Sequence, residues 1–442
     1  MSPFIVLVLL SAFLWAPSPS AAMRSSTLHL ARSHSVTPDA GAPVTTWAAS
    51  LAAQSAADAA RIATLVASSG GNTKKGHHRS FVPIAPGRQI LSIPNYVARA
   101  RLGTPPQTLL VAIDPSNDAA WVPCTGCAGC ASASSSPPFT PTRSSTYRPV
   151  RCGSPQCAQV PNPSCPGATS CAFNLTYASS AFEALLGQDT LALENDGVAS
   201  YTFGCLHVVT GVPPQGLVGF GRGALSFPSQ TKDVYGSVFS YCLPSYKSSN
   251  FSGTLRLGPI GQPKRIKTTP LLSNPHRPSL YYVNMTGIRV GGKPVPIPAS
   301  ALASFDPASG RGGTIVDAGT MFTRLSAPAY AAVRAAFRRR VRAPAVAPLG
   351  GFDTCYNATA VSWPVPSVAF TFEGAVTVTM PEENVVIRSS SGGVACLAMA
   401  AAPADGVHAA LNVVASVQQQ NHRVLFDVAN GRVGFARELC TV

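Results

Sequence analysis

No stretch of this chain is apolar for long enough to span a bilayer comfortably: Phe4 to Trp15 is apolar over 12 residues and then gives way to Pro17-Ser18-Pro19 and the small residues Ser20-Ala21-Ala22. There is no Gly-x-Ser-x-Gly elbow, and the eight histidines, four of them upstream of Ile93, show no metal-ligand spacing, so serine-hydrolase and zinc-hydrolase chemistry fall away. Gly219-Phe220-Gly221-Arg222-Gly223 has neither the spacing of a phosphate loop nor a following Lys-Ser or Lys-Thr pair. Cys124-x2-Cys127-x2-Cys130 lacks the fourth cysteine that an iron–sulfur or zinc run needs. No metal and no cofactor is expected.

Charge is also scarce. Charged residues make up 12% of the 442, and the formal net charge of +15 comes from basic residues scattered along the chain. The one dense cluster, Arg338-Arg339-Arg340 with Arg342, closes a helix-like stretch from Pro328 to Arg340, where cations suit the negative end of the helix dipole. That reads as a solvated helix end, so no nucleic-acid partner and no stable membrane anchor are expected. His422, in Gln418-Gln419-Gln420-Asn421-His422-Arg423, reads as a surface or loop histidine.

What is present is turn chemistry and sulfur. Forty Pro and 37 Gly separate many short Val/Ile/Phe runs, the pattern of an all-β chain of short strands, and the length is enough for two lobes. The apolar leader predicts a signal peptide over residues 1–22. Residues 23–92 read as a removable propeptide, with an Ala-rich helix over Thr46 to Ser68, a flexible basic stretch through Arg79 and a processing site between about Ser68 and Ile93. Twelve cysteines, an even number, then read as disulfides of an oxidising compartment. Asn174, Asn250, Asn284 and Asn357 each open a glycosylation acceptor.

Two stretches repeat one pattern: Leu110-Val111-Ala112-Ile113-Asp114-Pro115-Ser116 and Gly313-Thr314-Ile315-Val316-Asp317-Ala318-Gly319-Thr320. Each ends a β-branched apolar run on a carboxylate. Their neighbours repeat as well, with Tyr96-Val97 and Tyr282-Val283 upstream, and Leu217-Val218-Gly219 and Val413-Val414-Ala415 downstream. A single Asp after a strand reads as a turn or a cap, whereas two copies with matching partners read as a duplication. Two carboxylates meeting at a poorly solvated site cannot both be charged, so one holds the proton and the other serves as general base, activating water without a metal.

From about Ile93 to Val442 the sequence resembles the pepsin-like aspartic proteases, in particular the plant nepenthesin-type branch with twelve cysteines. The residues that carry this are Tyr96…Leu102-Gly103-Thr104-Pro105-Pro106-Gln107, Asp114 with Trp121 seven residues on, Gly216-Leu217-Val218-Gly219-Phe220-Gly221-Arg222-Gly223, Asp317-Ala318-Gly319-Thr320 and Phe426-Asp427…Arg432-Val433-Gly434-Phe435-Ala436. The resemblance implies a bilobal all-β fold with pseudo-two-fold related lobes, over residues 93–267 and 268–442, and a few short helices. It implies one catalytic Asp from each lobe, Asp114 and Asp317, a flap tyrosine at Tyr177 that receives the Trp121 indole N–H, and an extended peptide as substrate. By the same resemblance the disulfides are Cys124–Cys127, Cys130–Cys205, Cys152–Cys171, Cys157–Cys165, Cys242–Cys440 and Cys355–Cys396.

Departures sit beside the dyad. The family's Asp-Thr-Gly or Asp-Ser-Gly hydroxyls, which cross between lobes, are replaced by Pro115 and Ala318, so the reciprocal grip cannot form in its usual way. The Ser116 and Gly319 amides are left to hold the inner carboxylate oxygens, and the Asn117 and Thr320 side chains to reach the outer ones. Ala415 stands where the family has glycine, and Ala178 to Ala181 supplies none of the flap's usual glycines. The expectation is a secreted, monomeric aspartic endopeptidase, extracellular or else vacuolar or plastid. The contrasting reading is a catalytically weak or inactive binding protein on a protease scaffold, like the plant proteins of this fold that inhibit glycan-degrading enzymes.

Overall fold

The computed structural model describes residues 26–32, Asp58 and residues 95–440, except 131–136, 178–179, 194–195, 213–214, 246–252, 260, 303–304, 360–363, 390 and 404–409. The apolar leader, the Ala-rich helix apart from Asp58, the basic stretch through Arg79 and the acceptor at Asn250 lie outside these residues.

The first lobe includes the strands β1 (Ser26–Arg32), β2 (Tyr96–Leu102), β3 (Gln107–Asp114), β4 (Trp121–Ala128), β5 (Ala172–Tyr177), β6 (Ser180–Leu193), β7 (Asp196–Thr210), β8 (Gly216–Gly219), β9 (Val238–Cys242) and β10 (Gly253–Leu257). Tyr-Val-Ala-Arg-Ala-Arg-Leu of β2 alternates small or apolar residues with arginines, and Arg99 and Arg101 are its exposed positions. In β3 the last six residues, Leu109 to Asp114, are all buried, as expected of a strand covered on both faces. β1 falls inside the segment read as propeptide, yet it completes the sheet, pairing with β10 (Ser26 opposite Leu257) and with β2 (Arg32 opposite Tyr96).

The second lobe contains β11 (Tyr282–Val283), β12 (Thr314–Val316), β13 (Thr323–Leu325), the 12-residue helix α1 (Ala327–Arg338), β14 (Met399–Ala401) and β15 (Asn412–Val414). The helix expected from Pro328 to Arg340 is therefore present and slightly shorter. The Arg340 guanidinium donates to the Ala336 carbonyl at 2.8 Å, closing the helix end. The chain then returns as β16 (His422–Asp427) and β17 (Arg432–Arg437), and β16 pairs with β9 of the first lobe (Val238 opposite Asp427, Cys242 opposite Arg423). One continuous sheet thus joins the lobes. At its centre Phe426 stacks on Phe239 with ring centroids 4.8 Å apart and meets Tyr281 edge-on at 4.5 Å. Lys267–Pro270, the strand at the expected lobe boundary, pairs with β17.

Two expectations are corrected. The run Gln418 to Arg423 is buried throughout, and His422 is the first residue of β16 with its Nδ1 3.0 Å from the Gln420 carbonyl, so it is neither surface nor loop. The return of the chain into the inter-lobe sheet covers what its polarity suggests is solvated, and burial pushes the imidazole pKa down.

The second correction concerns disulfides. Cys242–Cys440 and Cys355–Cys396 form as expected, but the others are Cys124–Cys205, Cys127–Cys130, Cys152–Cys165 and Cys157–Cys171. Between Cys124 and Cys127 the strand β4 breaks register, with Gly126 at φ +84°, and Cys124 is left beside β7 while Cys127 faces the turn that follows. β4 runs parallel to β7 with Val122 opposite Cys205, which brings Cys124 within a Cα–Cα distance of 5.5 Å of Cys205. The chain turns at Gly129, φ +78°, and returns Cys130 to Cys127. In the other cluster burial sorts the partners: Cys157 pairs with Cys171, both buried, and the more exposed Cys152 with Cys165.

Candidate active site

The two aspartates occupy equivalent crossings. In the first lobe β3 runs parallel to β8, placing Gly219 opposite Asp114, while β4 crosses antiparallel with Trp121 opposite Leu217. In the second, β12 runs parallel to β15, placing Val316 opposite Val414, while β13 crosses antiparallel with Arg324 opposite Val413. The strand after each crossing leaves the Asp at the end of a buried run with its backbone held: the Asp114 carbonyl accepts from Phe220 N–H at 2.7 Å, and the Asp317 N–H donates to the Val414 carbonyl at 3.0 Å.

Asp114 is 0% and Asp317 1% exposed. The Asp114 Oδ1 accepts from the Ser116 N–H (2.9 Å) and hydroxyl (3.0 Å), and its Oδ2 accepts from the Asn117 Nδ2 at 2.5 Å. The Asp317 Oδ1 accepts from the Gly319 N–H (2.9 Å), and its Oδ2 from the Thr320 N–H (3.0 Å) and hydroxyl (2.6 Å). Each carboxylate is therefore gripped by an amide two residues on and a side chain three residues on. A carboxylate held this way keeps one orientation without a metal.

Both carboxylates act on one buried phenol. Burial, then the charges of Asp317, Tyr281 and Asp114, push the Tyr241 hydroxyl far above its ordinary range, against a hydrogen bond to Gln419. Tyr241 donates to the Gln419 Oε1 at 2.5 Å, and the Gln419 Nε2 donates to the Val414 carbonyl at 2.8 Å, the same carbonyl that accepts from the Asp317 N–H. A chain of hydrogen bonds thus runs from the inter-lobe sheet to the second loop. Nothing in the sequence singles out Tyr241 or Gln419, because their role depends on β16 meeting β9.

A second support is Asp118, four residues after Asp114. Its Oδ1 accepts from the Gly223 N–H at 2.7 Å and its Oδ2 from the Ser279 hydroxyl. Around it the Arg222 N–H donates to the Ser279 carbonyl at 3.2 Å and the Tyr281 hydroxyl to the Phe220 carbonyl at 2.7 Å. The Asp114 loop is tied in this way to the segment that enters the second lobe. Burial pushes the Asp118 carboxyl pKa above its ordinary 3.8, against the lowering effects of Ser279, Gly223 and Arg222. A carboxyl raised in the folded state contributes stability that is fully present below its unfolded pKa and is lost as pH rises through the folded one. The stability of the native chain relative to Asp118→Asn is expected to shrink as pH is raised from about 3.5 to about 7, read as the difference in thermal midpoints. A difference that grows with pH would contradict this.

The glycine and the alanine after the two crossings differ for a steric reason. A Cβ at Gly219 would lie 2.5 Å from the Asn117 carbonyl oxygen and 2.8 Å from that of Ala119. Ala415, at φ −95°, is fully buried without strain, and its N–H donates to the Thr323 hydroxyl at 3.1 Å. Gly219→Ala is expected to cost about 2 kcal/mol and Ala415→Gly about 0.7 kcal/mol in denaturant unfolding, an asymmetry opposite to any equivalence of the lobes.

Trp121 opens β4, buried, with its ring 5.6 Å from that of Phe182. Its indole N–H has no hydrogen-bond partner among the described residues. Tyr177 ends β5 opposite Ser180 at the tip of a hairpin, and its side chain lies outside the described residues. Of the glycosylation acceptors, Asn174 is exposed, while the Asn284 Nδ2 donates to Glu373 at 3.1 Å and the Asn357 Oδ1 accepts from the Thr359 N–H at 2.9 Å.

Comparisons agree with this geometry. Family models described as xylanase inhibitor N-terminal and xylanase inhibitor C-terminal match residues 96–259 and 280–437. Aspartyl protease 25 of Oryza sativa subsp. japonica is 47% identical over 381 residues, covering 82% of this chain and 85% of its own. Aspartic proteinase nepenthesin-2 of Nepenthes gracilis is 33% identical over 357 residues, covering 78% of each. The crystal structure of edgp superposes with a TM-score of 0.63 at 23% identity over 79% of this chain and 93% of its own, a likeness of fold. Duplicated Asp loops at equivalent strand crossings, together with near-half identity to a named aspartyl protease over most of both chains, place this chain in the plant pepsin-like aspartic protease family.

Proposed function

We propose that the chain is an endopeptidase that hydrolyses extended peptides with a water activated between Asp114 and Asp317. The observation that carries this is the matched holding of two buried carboxylates, each by an amide and a side-chain donor. One carboxyl, protonated, donates to the scissile carbonyl oxygen. The other, ionised, takes a proton from the water as its oxygen adds to the carbonyl carbon. The resulting diol collapses as the leaving nitrogen takes a proton from the dyad, and no acyl-enzyme forms. The Trp121 indole N–H, without a partner among the described residues, is the donor for the Tyr177 hydroxyl when the hairpin closes over substrate.

Around this centre residues 1–22 act as a signal, residues 23–92 as a removable segment, and residues 93–267 and 268–442 as the two lobes of a monomer. Six disulfides, with no free cysteine among the described residues, suit export to an oxidising compartment of apoplast type, and Asn174, Asn250, Asn284 and Asn357 accept glycans there.

A second reading, a binding protein that inhibits a glycan-degrading enzyme, is favoured by the hydroxyl-free Pro115 and Ala318 and by the descriptions of the matching family models. One experiment separates the two: hydrolysis of a general peptide substrate with and without a statine inhibitor, for the native chain and for Pro115→Thr with Ala318→Thr. The enzyme reading expects inhibitable cleavage and a gain in kcat of about fivefold for each restored hydroxyl, about thirtyfold for the pair, since each recovered hydrogen bond is worth about 1 kcal/mol. No turnover in either form, with tight binding to a xylan-degrading enzyme, favours the second reading.

A further inference from the structure

Asp58 stands out in the amino-terminal segment. It is 1% exposed, and its carboxylate spans two consecutive amides immediately after the second catalytic loop: Oδ1 accepts from the Met321 N–H at 2.9 Å and Oδ2 from the Phe322 N–H at 2.8 Å. The residue before these amides is Thr320, which holds the Asp317 Oδ2. Two residues after them is Arg324, 6% exposed, at the position equivalent by pseudo-symmetry to Trp121. The first lobe fills that crossing with an apolar ring and the second with a cation. A buried guanidinium is costly without an opposite charge, and the Asp58 charge acts on Arg324 against the effect of its burial. The next amide, Thr323, belongs to a different partner, the Gln418 Oε1 at 3.0 Å.

We propose that the Met321 and Phe322 amides, backed by the Arg324 guanidinium, form a carboxylate-binding site on the second catalytic loop, whose occupant in the full chain is Asp58, so that this site anchors the amino-terminal segment to the active centre. Two parallel N–H donors match the two oxygens of one carboxylate, and the adjacent cation selects the ionised form. An amide or a hydroxyl cannot satisfy both donors and the charge together. The anchor requires no proteolysis. Its consequence for activation rests on the reading of residues 23–92 as removable, because cutting that segment away withdraws the occupant from a loop that also holds Asp317.

The test reads amide hydrogen exchange in the full chain, carrying Asp114→Asn so that the segment stays attached and no turnover is needed. Asp58→Ala is expected to speed exchange at Met321 and Phe322 by at least about tenfold while leaving Thr323 within about twofold, because the neighbouring amide keeps its own acceptor. The isosteric Asp58→Asn, which keeps the shape and one acceptor oxygen but loses the charge, is expected to give a smaller rise confined to the same two amides. Unchanged exchange at Met321 and Phe322 in both variants overturns the proposal, as does a uniform rise at all three amides, which would report loosening of the loop rather than loss of a partner. Since no arm depends on hydrolysis, an inactive native chain would count against the endopeptidase reading and leave this result standing.

Discussion

Asp114→Asn is expected to lower kcat/KM by about four orders of magnitude or more while leaving the fold and KM nearly unchanged. The substitution keeps the side chain's shape and one oxygen for the Ser116 N–H, so the loop retains its main support. What disappears is the capacity to exchange a proton with water and with the leaving nitrogen, an interaction made in the transition state, and such losses fall on kcat rather than KM. Asp317→Asn is expected to behave alike, with one oxygen left for the Gly319 N–H and the Thr320 hydroxyl free to turn and accept from the new amide. Because the dyad acts as a unit, the double variant should lose little beyond either single one. Steady-state kinetics on a peptide substrate, with thermal midpoints to verify folding, decides this. Residual turnover within about tenfold of the native chain would remove Asp114 from the mechanism.

Breaking Cys242–Cys440 is expected to destabilise the chain by about 4 kcal/mol. The bridge closes a separation of 198 residues, and in the chain-entropy account the longest loops restrict the unfolded chain most. Both sulfurs are buried, so Cys242→Ala with Cys440→Ala also removes packing where β9 meets β16. Cys242 follows Tyr241 directly, and Arg423, opposite Cys242, is fully buried and ion-paired with Glu438 at 2.5 Å. Loosening this corner is therefore expected to reach the dyad through Tyr241, Gln419 and Val414 and to lower kcat as well as stability. Removing Cys127–Cys130, which closes a separation of 3, should cost far less. Denaturant midpoints of the two double variants test the ranking, and equal losses would contradict it.

Much of the centre is legible in the residues. Asp114 and Asp317 stand out through their repeated neighbours, and the support from Ser116, Asn117, Gly319 and Thr320 is what the family resemblance implies once Pro115 and Ala318 replace its hydroxyls; each of the four does donate to its Asp. What the residues concealed depends on contacts remote in the chain. Ser279 is 161 positions from the Asp118 it bonds, Gln419 is 178 from Tyr241, and Asp58 is 263 from Met321. The disulfides erred for the same reason: Cys124 meets Cys205 because β4 lies beside β7, and nothing local states that pairing.

Local pattern was sufficient for the all-β class, the duplicated lobes and the identity of the two acids, because strand alternation, turn residues and loop geometry are properties of neighbouring residues. Which cysteines meet, why a polar run at Gln418 to Arg423 is buried, and how Asp118, Tyr241 and Asp58 bear on the two loops were settled when distant strands paired. Hydrogen bonds and desolvation act over a few ångströms of space whatever the separation along the chain, so partners brought together by folding leave no periodic trace in the order of the residues.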